Sequence, residues 1–573
     1  MSRLAKYIRP YWGYIFLTLF IKFLSTYMEL MIPDLMEVVL DEKVPAADMH
    51  QIFLYGGAML LCAVLALGGH IWSNRMTAVS SGRITRAIRH DLFVKLENLS
   101  ARQIDQLTVP AAESRLTSDT YNVNQMLTRI QRIGVRAPCL LVGGIIMMLR
   151  MDAVMALVLV ALLPIIAVVV YYVTKHSVPM YTKQQTVLDQ VVRVVQENIT
   201  GIRVIKALSK TDYEKQRFHK VNGELADLGM KAGMITSVTN PASTLVLNLG
   251  LALVVLVGAY RVNSGVILSG VIVAFLTYFT MILNAMIGVT RIFILWSKGE
   301  ASAKRIADVL EEPEDLQILP SEEKQEQKPA HIEFRNVSFS YTGVGVNLHG
   351  ISFRLEYGKT LGILGPTGSG KSTLVNLLTR QYDPDSGTVL IGGEDIRKIE
   401  YDRLRKKFGI VFQNDFIAEG TIGENVRFFR EIGEDALERA VRTAQAEFVW
   451  EKEGGMDAEV AVRGNNLSGG QKQRLLIARA LAAEPEILIL DDASSALDYQ
   501  TDAQLRRALR ENYRNTTTVV VAQRVSSLRH ADLILVLEDG KVIGEGNHQQ
   551  LMENCEEYRV IAHTQMEREK EGA

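Results

Sequence analysis

The sequence predicts a multidomain chain: an all-α transmembrane domain of six helices, followed by an α/β domain of the P-loop kind. Three observations carry this. Long apolar runs crowd residues 1–300, whereas residues 331–573 alternate short apolar runs with helix-like stretches. Between them, residues 311–330 are dense in Glu, Lys and Gln, hold Pro313, Pro320 and Pro329, and show no apolar periodicity, which marks a linker. Finally, Gly365-Pro366-Thr367-Gly368-Ser369-Gly370-Lys371-Ser372-Thr373 reads G-x-x-x-x-G-K-[ST], preceded by a strand-like run at 360–364 and followed by a helix-like run at 372–380. The expected domains are therefore 1–310 and 331–573, joined by 311–330.

Composition narrows the function classes. A formal net charge of −1 over 573 residues offers no broad basic field, so nucleic acid is not an expected partner. Cys62, Cys139 and Cys555 are too far apart for a disulfide framework or a metal spacing. Arg3, Lys6 and Arg9 precede the first apolar run, but that run is too long for a signal peptide, lacks a small-residue cleavage pattern and is followed by further spans.

The six spans are expected at 14–32, 52–72, 135–149, 153–173, 245–260 and 266–287, each near the ~20 residues a bilayer requires. The connections after the third and fifth spans are very short, and those after the second and fourth run to roughly 60–70 residues. The long connections are polar and basic, with Arg75, Arg83, Arg86, Arg89 and Lys95 in one and Lys183, Arg193, Arg203, Lys206 and Lys210 in the other. Excess Lys and Arg marks the cytoplasmic side, so both termini and the second domain are expected there, in a multi-pass cell-membrane protein. Within the first span, Lys22 and Glu29 lie seven apart on one helix face. Such charges either line a polar path or pair with a neighbouring helix. Tyr278, Phe279, Met281 and Met286 form an aromatic–methionine cluster that serves either adaptable ligand contact or packing.

In the second domain, Gly365, Gly368 and Gly370 let backbone N–H groups of Thr367 to Thr373 turn inward around phosphate oxygens, and the helix start adds positive partial charge. Lys371 is expected on the β- and γ-phosphates of ATP and Ser372 on Mg²⁺. Residues 487–491 read as a buried strand ending in Asp491, which is placed at the ligand edge of a parallel sheet to hold Mg²⁺ through water. Leu467-Ser468-Gly469-Gly470-Gln471 opens another helix, at 472–482, and its small residues make a second anion site. Two such sites far apart in one chain make sense if two domains meet head to tail.

With its strand, loop and helix settings, this set of motifs resembles the ATP-binding cassette exporters, in the form with one membrane domain fused to one nucleotide domain. The resemblance spans essentially the whole chain, and its most specific marker is 467–474, similar to the family signature. It implies that Tyr341 stacks on adenine, that Gln413 touches Mg²⁺ and the attacking water, and that Ser468, Gly470 and Gln471 contact the nucleotide of a partner. It also implies that 495–498 crosses a dimer interface, and that 114–120 and 197–208 are regions coupling the nucleotide domain to the membrane helices. No peptidase domain is expected ahead of the first span.

The sequence departs from the family at three places. Asp492 stands where the family has a water-polarising Glu, one methylene longer; Gln523 replaces the switch His; and Val462 replaces a frequent Glu. A shift of roughly 1 Å at a catalytic base costs ~10²-fold, and Gln hydrogen-bonds without carrying positive charge. The loop, Asp492 and Gln523 serve this chain's own nucleotide, whereas the intact signature serves the partner's. The expectation is an ATP-driven exporter subunit with a degenerate site of its own, paired with a second half-transporter and moving a hydrophobic or amphipathic substrate such as a drug, lipid or peptide. The alternatives are a homodimeric lipid flippase and an ATP-gated channel or receptor.

Overall fold

The computed structural model describes residues 2–320, 330–341, 343, 345–413 and 416–571; the segment 321–329 of the expected linker lies outside the described residues. The chain forms two compact units, Met1–Glu97 with Pro110–Glu312, and Asn98–Val109 with Pro313–Ala573.

The first unit is helical throughout, as a backbone in lipid must be when no water is present to satisfy it. Among the described residues, Ala5–Lys43, Met49–Asn98, Val109–Met151, Thr244–Asn263 and Ser269–Met286 are long and apolar enough to cross a membrane. The fourth expected span falls at the start of the helix Ala153–Thr200, whose segment Ala153–Leu162 is apolar. The helices outrun the expected spans. Met49–Asn98 has 50 residues, about 75 Å at 1.5 Å per residue, against a hydrocarbon core of ~30 Å. Apolar side chains stand outward along the spans, with Phe16 72 % and Phe53 75 % exposed, a surface that suits lipid rather than water.

Inside this unit, Phe275, Tyr278 and Phe279 are fully buried, and Tyr278 donates its hydroxyl to the Leu30 carbonyl at 2.7 Å. Met281 and Met286 pack against the same cluster, so these residues serve as core. Asp41 caps the helix Ser269–Leu310 from a distance in sequence, accepting from the Gly270 N–H at 2.5 Å and the Val271 N–H at 3.1 Å.

Lys22 and Glu29 turn to different partners. Glu29 pairs with Arg136 at 2.8 Å and lies 3.3 Å from His70, while Lys22 donates to Asn74 at 3.2 Å. Each thus ties the first membrane helix to a neighbouring one. Glu29→Gln is accordingly expected to lower folded yield and thermal stability by roughly 1–2 kcal/mol, read as a lower melting temperature of the purified protein. A changed substrate profile at unchanged stability would instead place Glu29 on the transport path.

The second unit holds three sheets. β1 (Ile332–Phe339), β2 (Leu348–Leu355), β4 (Ser386–Ile391) and β5 (Glu394–Asp395) form an antiparallel sheet in the order β2-β1-β4-β5. β3 (Thr360–Leu364), β6 (Phe408–Val411), β9 (Ile487–Asp491), β10 (Thr517–Val521), β11 (Leu533–Glu538) and β12 (Lys541–Gly546) form a six-stranded sheet in the order β12-β11-β3-β10-β9-β6, parallel except for the β12 edge. β7 (Gly420–Thr421) pairs with β8 (Glu459–Val460). β9 is buried at all five positions, as a central parallel strand covered on both faces requires.

One segment of the first long connection folds with this unit. Ser100 caps the helix Ala101–Leu107 through a capping box with Gln103. Ser100 Oγ also donates to Asp315 at 2.9 Å, Gln103 to the Pro313 carbonyl at 2.6 Å, and Tyr382 OH to Asp105 at 2.5 Å. The stretch 114–120, which the resemblance implies is a coupling region, lies in the first unit. There Asp119 is buried and ion-paired with Arg115 and Arg305. The second expected coupling stretch, 197–208, is also in the first unit. Glu197 pairs with Arg217 at 2.7 Å, Asn198 donates to Glu214 at 2.9 Å, and the short helix Ile202–Ala207 leaves Val204 61 % and Leu208 64 % exposed.

Candidate nucleotide site

β3 ends at Leu364, and the chain turns through Gly365–Gly370 into the helix Lys371–Leu378. Two glycines are required by the geometry. A Cβ on Gly365 would stand 2.3 Å from the Leu537 carbonyl oxygen. Gly370 caps the helix at φ +100°, where a Cβ would also meet Leu348 at 2.6 Å. The turn borders a cleft of about 500 Å³, a volume suited to a nucleotide-sized ligand.

Ten of the sequence-predicted residues line that one cleft: Thr367, Gly368, Gly370, Lys371, Ser372, Thr373, Gln413, Asp491, Asp492 and Gln523. Lys371 Nζ donates to the carbonyls of Gly365 at 2.9 Å and Pro366 at 2.8 Å, which holds it over the loop. Burial lowers its pKa, while Asp491 and Asp492 act the other way. Asp491 is buried at the end of β9 and accepts from the Ser372 hydroxyl. Burial pushes its carboxyl above the usual range, and Asp492 beside it adds to that rise. Asp492 sits at φ +53° with its N–H on the Val521 carbonyl at 3.0 Å, and burial raises its pKa against the pull of Lys371 and Arg524.

Among the described residues no three His, Cys, Asp or Glu groups converge to cage a metal. The donor set of Ser372, Gln413 and Asp491 is hard oxygen with a single carboxylate. That fits Mg²⁺, which commonly binds through one or two protein ligands plus phosphate oxygens and water.

The remaining predicted residues lie outside the cleft lining. Gly365 and Ser369 form its buried support. The Tyr341 ring packs edge-on to Phe339 and Tyr382, and its hydroxyl lies 3.3 Å from Thr373 Oγ1. Ser468, Gly470 and Gln471 form a separate exposed helix start, in which Ser468 Oγ accepts from the Gln471 N–H at 3.3 Å and the Gln471 side chain accepts from the Ser468 N–H at 3.0 Å. Gln473 in that helix holds the loop 495–498, donating to Ser495 Oγ at 3.1 Å and accepting from the Ala496 N–H at 2.9 Å. Val462 is exposed in a short turn.

Three features escaped the sequence reading. Asn347 and Asp539-Gly540 also line the cleft. Gln565, in the helix Glu556–Glu571, donates to the Gln523 carbonyl at 2.8 Å and accepts from the Val525 N–H at 2.7 Å, clamping the segment that carries Gln523. An Asp-Gly pair between two strand runs was a readable hairpin signal; the tertiary approach of Asn347 and Gln565 was not.

Residues 14–286 match the ABC transporter transmembrane region, and residues 348–495 match the ABC transporter family. An uncharacterized ABC transporter ATP-binding protein of Mycobacterium tuberculosis is 32 % identical over 579 residues, covering 99 % of this chain and 98 % of the relative. This chain belongs to the ABC transporters. The ABC transporter ATP-binding protein YfiB of Bacillus subtilis, also uncharacterized, is 33 % identical over 577 residues, 99 % of each chain. A fatty acid ABC transporter ATP-binding/permease protein of Mycobacterium bovis is 32 % identical over 504 residues, 86 % of this chain and 79 % of that one. A bacterial Atm1-family ABC exporter solved with ATP bound has the same fold, with a TM-score of 0.81 at 24 % identity over 97 % of this chain and 98 % of that one.

The chain is thus an ABC transporter with a helical transmembrane domain followed by a nucleotide-binding domain of mixed sheets, and it shares the fold of an Atm1-family exporter. It binds ATP and is an ATPase-coupled, multi-pass membrane transporter.

Lys371→Ala is expected to raise the dissociation constant of a fluorescent ATP analogue for this chain by 10-fold or more, since it removes the cation from the cleft. Titration of the purified protein reads this directly, and unchanged affinity would place the nucleotide elsewhere.

Proposed function

We propose that this chain is the degenerate half of a heterodimeric exporter. It binds ATP–Mg²⁺ in its own cleft, hydrolyses it slowly, and lends its signature helix to the competent site of a partner half-transporter. Lys371 and the loop N–H groups hold the phosphates; Ser372, Gln413 and Asp491 hold Mg²⁺; Tyr341 meets the adenine; Asp492 and Gln523 occupy the positions of base and switch. The domain boundaries 1–310 and 331–573, with both termini in the cytoplasm, belong to the same reading. The observation that carries it is the placement of the two departures. Asp492 and Gln523 line one cleft together with a complete phosphate loop, whereas the third departure, Val462, and the unaltered Ser468–Gln471 helix start stand apart from that cleft. Two losses at one site beside an unaltered signature fit division of labour better than general decay. The exposed Val204 and Leu208 support a partner chain, since apolar side chains at the tip of a polar extension favour cover.

The transported compound is proposed to be hydrophobic or amphipathic. The fatty acid transporter among the relatives supports an amphipathic one.

The test is purification of the tagged chain from its native membranes. The expected result is a 1:1 complex with a similar chain carrying Glu and His at the two positions, hydrolysing ATP at least 10-fold faster than this chain alone. Equal turnover by this chain alone would overturn the heterodimer.

A further inference from the structure

The nucleotide-binding unit contains a second cavity, of about 430 Å³, that nucleotide binding does not use. It lies between β3, β9 and β10 and the helices Tyr499–Asn512 and Val525–Leu528. Its walls are unlike those of the ATP cleft. Leu505, Leu509, Tyr513 and Val520 give an apolar body, and Arg506, Arg510 and Arg514 give a cationic rim, beside which burial and the neighbouring arginines lower the pKa of His530 and favour its neutral ring. Two carboxylates also face it, and both are engaged. Asp502 pairs with Arg506 at 2.8 Å, and Asp532 pairs with Lys359 at 3.0 Å while accepting from the Thr360 N–H at 2.8 Å. Arg510 and Arg514 have no ion pair among the described residues. An adjoining cavity of about 400 Å³ shares Arg506, Arg510 and His530 and adds Arg529, so the positive field extends along this side of the unit.

The cavity also touches the ATP site. Val521 lines both spaces, and its carbonyl accepts the Asp492 N–H at 3.0 Å. Ala493 and Ser494, next in the chain after Asp492, form part of the second cavity's wall.

We infer that this cavity is a regulatory site for a single-chain anionic amphiphile. An apolar pocket of this volume with a few convergent polar groups has the form of a small-molecule site. Two guanidinium groups without a carboxylate partner among the described residues, Arg514 and Arg510 (whose Nε donates to the Arg506 carbonyl at 3.3 Å), select a carboxylate, sulfonate or phosphate head. A cationic head would meet like charge, and a neutral one would leave the guanidinium groups without a counter-ion. The volume admits one short chain rather than the two of a membrane lipid. An occupant pressing on Val521 and Ala493 shifts the backbone that holds Asp492, so it alters ATP affinity, and ATP must alter its affinity by the same factor.

The test uses the full chain in lipid nanodiscs with decanoate as the probe, and decanol and decyltrimethylammonium as neutral and cationic arms. Amide hydrogen exchange over 499–514 and 516–532 should slow saturably with decanoate and not with the other two. Decanoate at saturation should shift the dissociation constant of a fluorescent ATP analogue at least 3-fold, with the reciprocal shift in its own. The double variant Arg510→Glu, Arg514→Glu changes exposed side chains and should raise the half-saturating decanoate concentration 10-fold or more while still binding the analogue. Leu509→Trp, which fills the cavity, should abolish protection. Equal protection by decanol, an unaltered response in the charge-reversed variant, or unchanged ATP affinity at saturating decanoate would each overturn the proposal. Because every readout is binding to this chain, none depends on which half of the complex hydrolyses ATP.

Discussion

Gly470→Asp is expected to lower the ATPase and transport of the assembled exporter by orders of magnitude, with this chain's own ATP still bound. Gly470 stands in the first turn of the helix Gly469–Leu481, whose start is exposed and capped by Ser468. In the proposed complex that start faces the partner's γ-phosphate. A carboxylate there sets two anions against each other in a closed, water-poor interface, where charge interactions are strong and unrelieved by solvent. The same residue leaves the fold intact for two reasons. An anion in the first turn of a helix is locally favourable. The nearest obstacle to a Cβ is also mild, the Ala496 carbonyl oxygen at 3.2 Å, which a shift of a few tenths of an ångström relieves. That shift falls on the 495–498 loop, the other element the resemblance places at the interface. Asp492→Asn in the same domain should change complex turnover by less than 3-fold, because under the proposed reading it alters a site that is already slow. Steady-state ATPase of the two variant complexes beside the unaltered one reads the contrast. If Asp492→Asn does the greater damage, this chain's own site carries the turnover.

How much of this was legible in the sequence follows from what each element depends on. The phosphate loop, Asp491 and the Ser468–Gln471 helix start were readable because each is local. A strand end, a glycine turn or a helix cap fixes its backbone within about ten residues. The spans were readable from apolar length, but their ends were not. Past the bilayer the helices Met49–Asn98 and Ala153–Thr200 continue on polar, strongly helical sequence where hydropathy carries no signal. Lys22 and Glu29 showed the limit most plainly. Their spacing put them on one face, but the partners Asn74, His70 and Arg136 come from other helices, and only packing chooses them. The same holds for Asp105 and Tyr382, 277 positions apart, and for Gln565 on the Gln523 segment.

The second large effect is a gain. If the chain is the degenerate half proposed above, Asp492→Glu combined with Gln523→His is expected to raise the ATPase of this chain, purified alone, by ~10²-fold or more. Both positions line the cleft with Lys371, Ser372 and Asp491 already in place, so the two substitutions add groups to a formed site. Glu extends the carboxylate by one methylene toward the attacking water, and His supplies a ring nitrogen that carries a proton near neutral pH, which Gln cannot. Two features of the structure bear on the size of the gain. Asp492 sits at φ +53°, a backbone region Asp tolerates better than Glu, so the longer side chain carries some strain. The Gln523 segment is clamped by Gln565 through main-chain atoms only, so the side-chain change leaves that clamp intact. The single substitutions should each gain much less than the pair, since base and switch act on one transition state and their effects are coupled. The measurement is single-turnover hydrolysis by the unpartnered chain and its three variants at saturating ATP. A double variant no faster than the unaltered chain, with ATP bound normally, would show that Asp492 and Gln523 are not what holds this site back.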